Sequence, residues 1–215
     1  MTNTHARELD DFAAAARWCT SLVATIGDEQ WDEPGLGAWD LRGLVGHTGR
    51  AFLTLETALD QPADEVTLPS PEDYFAAILS QQGVDDLVLE RGIASGRDLG
   101  DDPASAFAAK CESALSRLSR LEEVSSSASV ADAAIMTVGG GMRTGDYVCT
   151  RTFELVVHGS DIAAALGTDP QIPDSPLRDS LEIAVELAVR GGTGSRVLAA
   201  LTGRGGLAGD FSVLG

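Results

Sequence analysis

The sequence predicts an all-α protein, a bundle of amphipathic helices. Three observations lead there. Apolar residues recur at spacings of three and four through most long segments, which is the period of one helix face. Capping residues, glycines and prolines punctuate those segments. Aromatic residues make up only 5% of the chain, while Ala and Gly abound, so the core is built mostly from Leu, Val, Ile and Ala. The 215 residues fit one large domain, or one domain with a small appendage.

The elements follow in order. Residues 5 to 27 read as a first helix, with Leu9, Phe12, Ala16, Cys19, Val23 and Ile26 on one stripe and Gly27 as the stop. His5 falls in a frayed N-terminus. Residues 31 to 39 form a loop marked by Pro34, Gly35 and Gly37, which Trp31 and Trp39 pin to the bundle. Asp40 caps a second helix to residue 60, with Leu41, Val45, Thr48, Phe52, Leu55 and Leu59 buried. His47 lies on the edge of that face. Ser70-Pro71 opens a third helix that runs to about Arg91. Residues 92 to 102 read as a break, and residues 103 to 123 as a helix with Phe107, Cys111, Leu115, Leu118 and Leu121 on one face.

Residues 122 to 130 are Ser-rich and read as a mobile connection. Ile135 to Val138 is a short strand or an extended crossing. The three glycines after it lack the Gly-Lys-Ser/Thr ending of a phosphate loop. Thr144 opens a helix that ends at Leu166-Gly167. Pro170, Pro173 and Pro176 stiffen a connector to a helix over residues 176 to 190. A short helix, Ser195 to Leu201, and a glycine-rich tail follow. The tail has three open roles: an edge strand, a cover over the bundle, or a homodimer contact.

One pattern carries chemistry. Glu154 and His158 are four apart and stack on one helix face. A carboxylate and an imidazole so placed can share one divalent metal. Taken with His47, they leave a tetrahedral ion with one open position, as in catalytic zinc sites. Glu-His pairs at this spacing are also common as plain surface pairs. At about 100° per residue, Tyr147, Arg151, Glu154, His158 and Asp161 form one narrow polar stripe with apolar flanks. Arg151 either grips a substrate carboxylate or a thiol's polar groups, or forms a structural ion pair with Asp161 or Asp146. Asp161 either orients a ligand histidine or caps a neighbouring element.

Two motifs resemble a known family. One is Trp39-Asp40-Leu41-Arg42-Gly43-Leu44-Val45-Gly46-His47. The other is Phe153-Glu154-Leu155-Val156-Val157-His158-Gly159-Ser160-Asp161-Ile162-Ala163. Together they are similar to the mycothiol-dependent maleylpyruvate isomerase metal-binding family, within the DinB-like/YfiT-like helical-bundle superfamily. Ser160 departs from the large apolar residue often found at that place. The likeness covers roughly residues 8 to 166. It implies a DinB-like antiparallel four-helix bundle over residues 1–166, with residues 167–215 adding a C-terminal helix and tail packed on it. It also implies that His47, Glu154 and His158 are metal ligands. The implied cofactors are a divalent metal, Zn²⁺, and mycothiol or another low-molecular-weight thiol. The implied activity is a thiol-dependent isomerase or transferase acting on a small-molecule substrate.

The charge of such a site fits this chemistry. Zn²⁺ with two neutral imidazoles and one carboxylate retains one positive charge, which favours an anionic fourth ligand such as a thiolate. Two other readings stand beside it: a metal-dependent hydrolase that activates water, and a metal-stabilised binding module without activity.

Composition limits the partners. The net charge of −18 repels nucleic-acid backbones, and Lys110 is the only lysine. No basic region precedes an apolar run, as a signal peptide would require, and no uncharged apolar stretch approaches a bilayer span. Cys19, Cys111 and Cys149 are odd in number and widely spaced, as expected of buried thiols in a reducing cytoplasm.

Overall fold

The computed structural model describes residues 4–80, 84–124 and 129–214. Eight α-helices and one two-stranded hairpin are present among them. The long helices are α1 (Thr4–Val23), α2 (Leu41–Leu59), α5 (Pro103–Val124) and α6 (Thr144–Ala165). α1 and α2 each pack against both α5 and α6, so the four close a ring around a shared core. Phe12 of α1, Phe52 of α2 and Phe107 of α5 meet edge to face within it, at centroid distances of 6.2 and 5.3 Å.

Local sequence explains the helix starts. The Asp40 carboxylate accepts from the Gly43 N–H at 2.6 Å and caps α2. The Ser70 hydroxyl accepts from the Asp73 N–H, with Pro71 at the first position of α3 (Pro71–Leu79). α1 ends at Val23, four residues before the expected stop, and the backbone of His5 belongs to its first turn rather than to a frayed end. Gly27 instead precedes a 3₁₀ turn at Asp28–Gln30.

The segment 71–102 differs from expectation. α3 stops at Leu79, and residues 81–83 lie outside the described residues. α4 (Val84–Arg97) then runs straight through Gly92, where a break was expected. Gly92 and Gly96 are glycines of close approach. A Cβ on Gly92 would stand 2.4 Å from Trp39 Nε1, and one on Gly96 2.8 Å from the Arg42 carbonyl. α4 thereby lies directly against α2.

Helix α5 continues through Val124, and residues 125–128 of the Ser-rich connection lie outside the described residues. The ambiguous stretch after it is a strand. β1 (Ala134–Met136) pairs antiparallel with β2 (Gly141–Arg143) in the register Ile135↔Met142. Residues 61–68 lie along this hairpin, with the Met136 N–H donating to the Gln61 carbonyl at 2.7 Å. A Cβ on Gly141 would stand 2.1 Å from the Glu65 carbonyl, so the glycine run serves chain crossing. The hairpin feeds directly into α6.

α7 (Asp174–Arg190) packs on α6 and α1, and α8 (Gly194–Leu201) packs on α7. No strand forms in the tail among the described residues. Arg196 lies over the Phe211 ring, and Val213 and Leu214 pack against the core.

Candidate metal centre

The centre lies between α2 and α6. α2 contributes His47, and α6 contributes Glu154 and His158. One ligand atom from each of the three lies within 4.8 Å of the others. His158 Nε2 is 3.3 Å from Glu154 Oε2. Two ligand atoms each about 2.0–2.1 Å from one tetrahedral ion stand roughly 3.3 Å apart, so this pair already has chelating separation. The His47 and His158 rings meet edge to face, with centroids 4.8 Å apart.

Neighbours set the orientation of each ligand. Asp161, one turn after His158, lies 3.0 Å from its Nδ1. When Nδ1–H donates to Asp161, the Nε2 lone pair is left facing the Glu154 side, which is the carboxylate–histidine arrangement that supports metal ligation. Trp39 stacks on His47 at 4.6 Å, and its Nε1–H donates to the Leu89 carbonyl at 3.0 Å. The indole therefore anchors the loop as expected and also braces a site histidine.

Arg151 is buried, and each of its three nitrogens has a polar neighbour. Its Nε–H donates to Thr150 Oγ1 at 3.1 Å and Nη1–H to Thr54 Oγ1 at 3.4 Å, while Nη2 lies 4.0 Å from Glu154 Oε1. The guanidinium sits over the Tyr74 and Tyr147 rings at 5.2 and 4.9 Å. The expected partners Asp146 and Asp161 are taken elsewhere: Asp146 by Arg143, and Asp161 by His158. Ten residues of helix separate Arg151 from Asp161 by about 15 Å, too far for a pair. Tyr147, placed on the polar stripe by periodicity, is buried and supports Arg151.

The electrostatics follow from these contacts. Burial works against ionised Glu154, but the hydrogen bond from His158 and the charge of Arg151 outweigh it and hold the carboxyl down at about 2. Burial also opposes charge on His158. The hydrogen bonds to Asp161 and Glu154 outweigh that and raise it to about 9. Burial, then the neighbouring His158 charge, lowers His47 to about 4. Without a metal, protonated His158 thus bridges two carboxylates, and that bridge alone accounts for Glu154, His158 and Asp161. It does not account for His47, whose Nδ1 is buried with no hydrogen-bond partner. An orphaned imidazole nitrogen beside a chelating pair fits a metal ion.

Sequence reasoning read Trp39 as a loop anchor at the head of the His47 motif, without its stacking on the histidine, and missed Thr54 and Tyr74 as neighbours of the site. Thr54 lies two turns after His47, so helical period was a usable signal. Tyr74 comes from the separate helix α3, and nothing local announced it. A cleft of about 440 Å³ lined by Glu8, Cys149, Asp179 and Glu182 lies elsewhere. Cys149 is nine residues before His158, and so on the opposite side of α6.

The matching family model is the mycothiol maleylpyruvate isomerase N-terminal domain, over residues 12–163. No curated protein and no solved structure matches the chain. The matched span contains His47, Glu154, His158 and Asp161, with all of α2 and α6 as far as Ala163. With well over half of its residues so matched, the chain belongs to the mycothiol maleylpyruvate isomerase N-terminal domain family.

Proposed function

We propose that this chain is a metal- and thiol-dependent enzyme of the isomerase or transferase type, in which His47, Glu154 and His158 hold a divalent metal, Zn²⁺. The thiol is mycothiol or another low-molecular-weight thiol, and the second substrate is a small molecule. The scaffold is a DinB-like antiparallel four-helix bundle of residues 1–166, with residues 167–215 packed on it. The setting is the cytoplasm. No helix is long and apolar enough to cross a membrane among the described residues.

The observation that carries this reading is the buried, partnerless His47 Nδ1 beside a Glu154–His158 pair at 3.3 Å. The family description, which names mycothiol and maleylpyruvate, supports the thiol and the reaction type. A metal bound there would supply a Lewis-acid position that stabilises a thiolate at neutral pH. The protein's own groups do the rest. Asp161 holds the His158 tautomer, Trp39 fixes the plane of His47, and Arg151 keeps Glu154 ionised.

The test is metal content by mass spectrometry on tag-free protein and on His158→Ala, followed by cobalt substitution and a thiol titration. About one equivalent of metal, lost in the variant, with a thiol-dependent change in the cobalt spectrum, is expected. No uptake after incubation with zinc would end the enzyme reading. Metal uptake with no response to any thiol, but chelator-sensitive ester hydrolysis, would transfer the site to water activation.

A further inference from the structure

The C-terminal helices carry an apolar face left open to solvent. α7 buries Ile183 and Leu187 in the core, yet Leu181, Val185 and Val189 recur every fourth residue on another side and are exposed. α8 buries no residue, and its Leu198 and Leu201 are exposed. The stripe on α7 runs up to α8, where a Cβ on Gly194 would stand 2.9 Å from Val189 Cγ2. These five side chains are 42 to 73% exposed. All lie beyond the span that the family model matches.

Area and charge together indicate what covers this face. Side chains of this size and exposure present on the order of 500 Å² of apolar surface, near the top of the range for the largest patch on a monomer. A standard interface buries about 800 Å² on each partner, about 65% of it apolar in homodimers. The patch therefore supplies the apolar area that one such contact needs. A helix as short as α8 is also marginal in water by itself, so a partner over Leu198 and Leu201 stabilises it.

Two copies of a chain with a net charge of −18 repel one another over most of their surface. Residues 187–209 hold three arginines and no Asp or Glu, so two copies meet here with little repulsion. The sequence of α7 also fits a pairing with itself. Set two α7 helices antiparallel with Val185 on a twofold axis, and Leu181 faces Val189. Arg178 and Asp179 then face Gly192 and Gly191, Glu182 and Glu186 face Ala188 and Ala184, and Arg190 faces Ser180. A parallel pairing would instead set each of these charges against its own copy.

We propose that this face is the contact between two copies of the chain. It is an isologous, antiparallel pairing of α7 with α7, with Val185 on the axis, extended by Leu198 and Leu201 of α8. Each copy offers the same surface, so the assembly closes at two. The contact needs neither metal nor thiol. Because α7 packs on α6, the pairing braces from outside the helix that carries Glu154 and His158, without adding a residue to the centre.

Sedimentation velocity on the full chain across a wide concentration range reads the association, with circular dichroism to confirm folding. Wild type should sediment at twice the chain mass. Val185→Arg and Leu198→Asp should each raise the dissociation constant about a hundredfold or more. Val138→Arg, at an exposed apolar residue on the β1–β2 turn, should leave it unchanged. Cross-linking reads the register: with oxidised glutathione, Val185→Cys should form a covalent dimer that wild type, with Cys19, Cys111 and Cys149, does not. A wild type that stays monomeric throughout overturns the proposal, as does a dimer that survives Val185→Arg. Loss of the dimer in Val185→Arg without cross-linking of Val185→Cys would overturn the antiparallel register. Binding of monomer to phosphatidylserine vesicles, lost in Leu198→Asp, would overturn the pairing and give the face to a lipid surface.

Discussion

Raising the pH from 7 to 9 should tighten divalent-metal binding by this protein about 50-fold. The protons held by the three ligands decide this. Glu154 is held ionised, at about 2, so it loses no proton on binding at neutral pH. His47 is already neutral, at about 4. His158 is different: although burial opposes its charge, Asp161 and Glu154 raise it to about 9. A metal must therefore displace one proton, from His158. At pH 7 that competition weakens binding by a factor of about 100, and at pH 9 by about 2, at 1.36 kcal/mol for each pH unit. The assay is chelator competition at each pH, with calorimetry at pH 7 in two buffers of different ionisation enthalpy. About one proton should be released at pH 7 and about half of one at pH 9. The same shift acts on the metal-free fold. A raised histidine stabilises below about 6.5, and that stability is lost as the pH climbs through 9. Metal-free protein should lose melting temperature over this range more steeply than loaded protein. An affinity independent of pH between 7 and 9, with no proton released, would refute the bridge between Asp161 and Glu154.

Two further outcomes test the framework. In Gly159→Ala, the new Cβ would stand 2.4 Å from the Trp18 ring, so α1 must shift away from α6; a loss of about 1–3 kcal/mol by chemical denaturation is expected, and an unchanged midpoint would contradict the packing. Asp179 is raised to about 6 by burial and by the neighbouring Asp11 carboxylate, against the opposing charge of Arg7, so the stability it contributes is present below about 3.8 and lost as the pH rises through 6. The melting temperature of Asp179→Asn relative to wild type should therefore be more favourable at pH 8 than at pH 4, and a difference that does not vary with pH would contradict the raised Asp179 carboxyl.

Much of the fold was legible because local chemistry decides it. Asp40 and Ser70 cap helices where their side chains and the following apolar period require it. The polar stripe on α6 brought Tyr147, Arg151, Glu154, His158 and Asp161 to one side of one helix. The misread segment, 71–102, fails for a physical reason. Glycine in a helix is read as a stop because it costs about 1 kcal/mol relative to alanine. Gly92 and Gly96 recover that cost through contact with Trp39 and with the backbone of α2, which a one-dimensional pattern does not contain. The partner of Arg151 was misassigned because Asp146 and Asp161 were weighed without asking which carboxylates were already engaged. Tyr74 was out of reach altogether, since α3 meets the site only through the tertiary fold.

The glycines next to the histidines explain why the two motifs look as they do. Gly46 precedes His47, and Gly159 follows His158. A Cβ on Gly46 would stand 2.2 Å from the Gly96 nitrogen, and one on Gly159 2.4 Å from the Trp18 ring. Each ligand-bearing helix is thus pressed from another side by a third element: α2 by α4, and α6 by α1. Trp18 is itself tied by its Nε1–H to the Pro170 carbonyl, so the connector after α6 contributes to that pressure. With one ligand on α2 and two on α6, all within 4.8 Å of one another, the triad tolerates little sliding of α6 against α2, because productive site geometry is held to about half an ångström. Glycine at these two crossings lets helix backbones approach closely and leaves few ways to slide. The Gly-His and His-Gly pairs are therefore mechanical parts of the centre, although neither glycine touches a ligand atom of the metal.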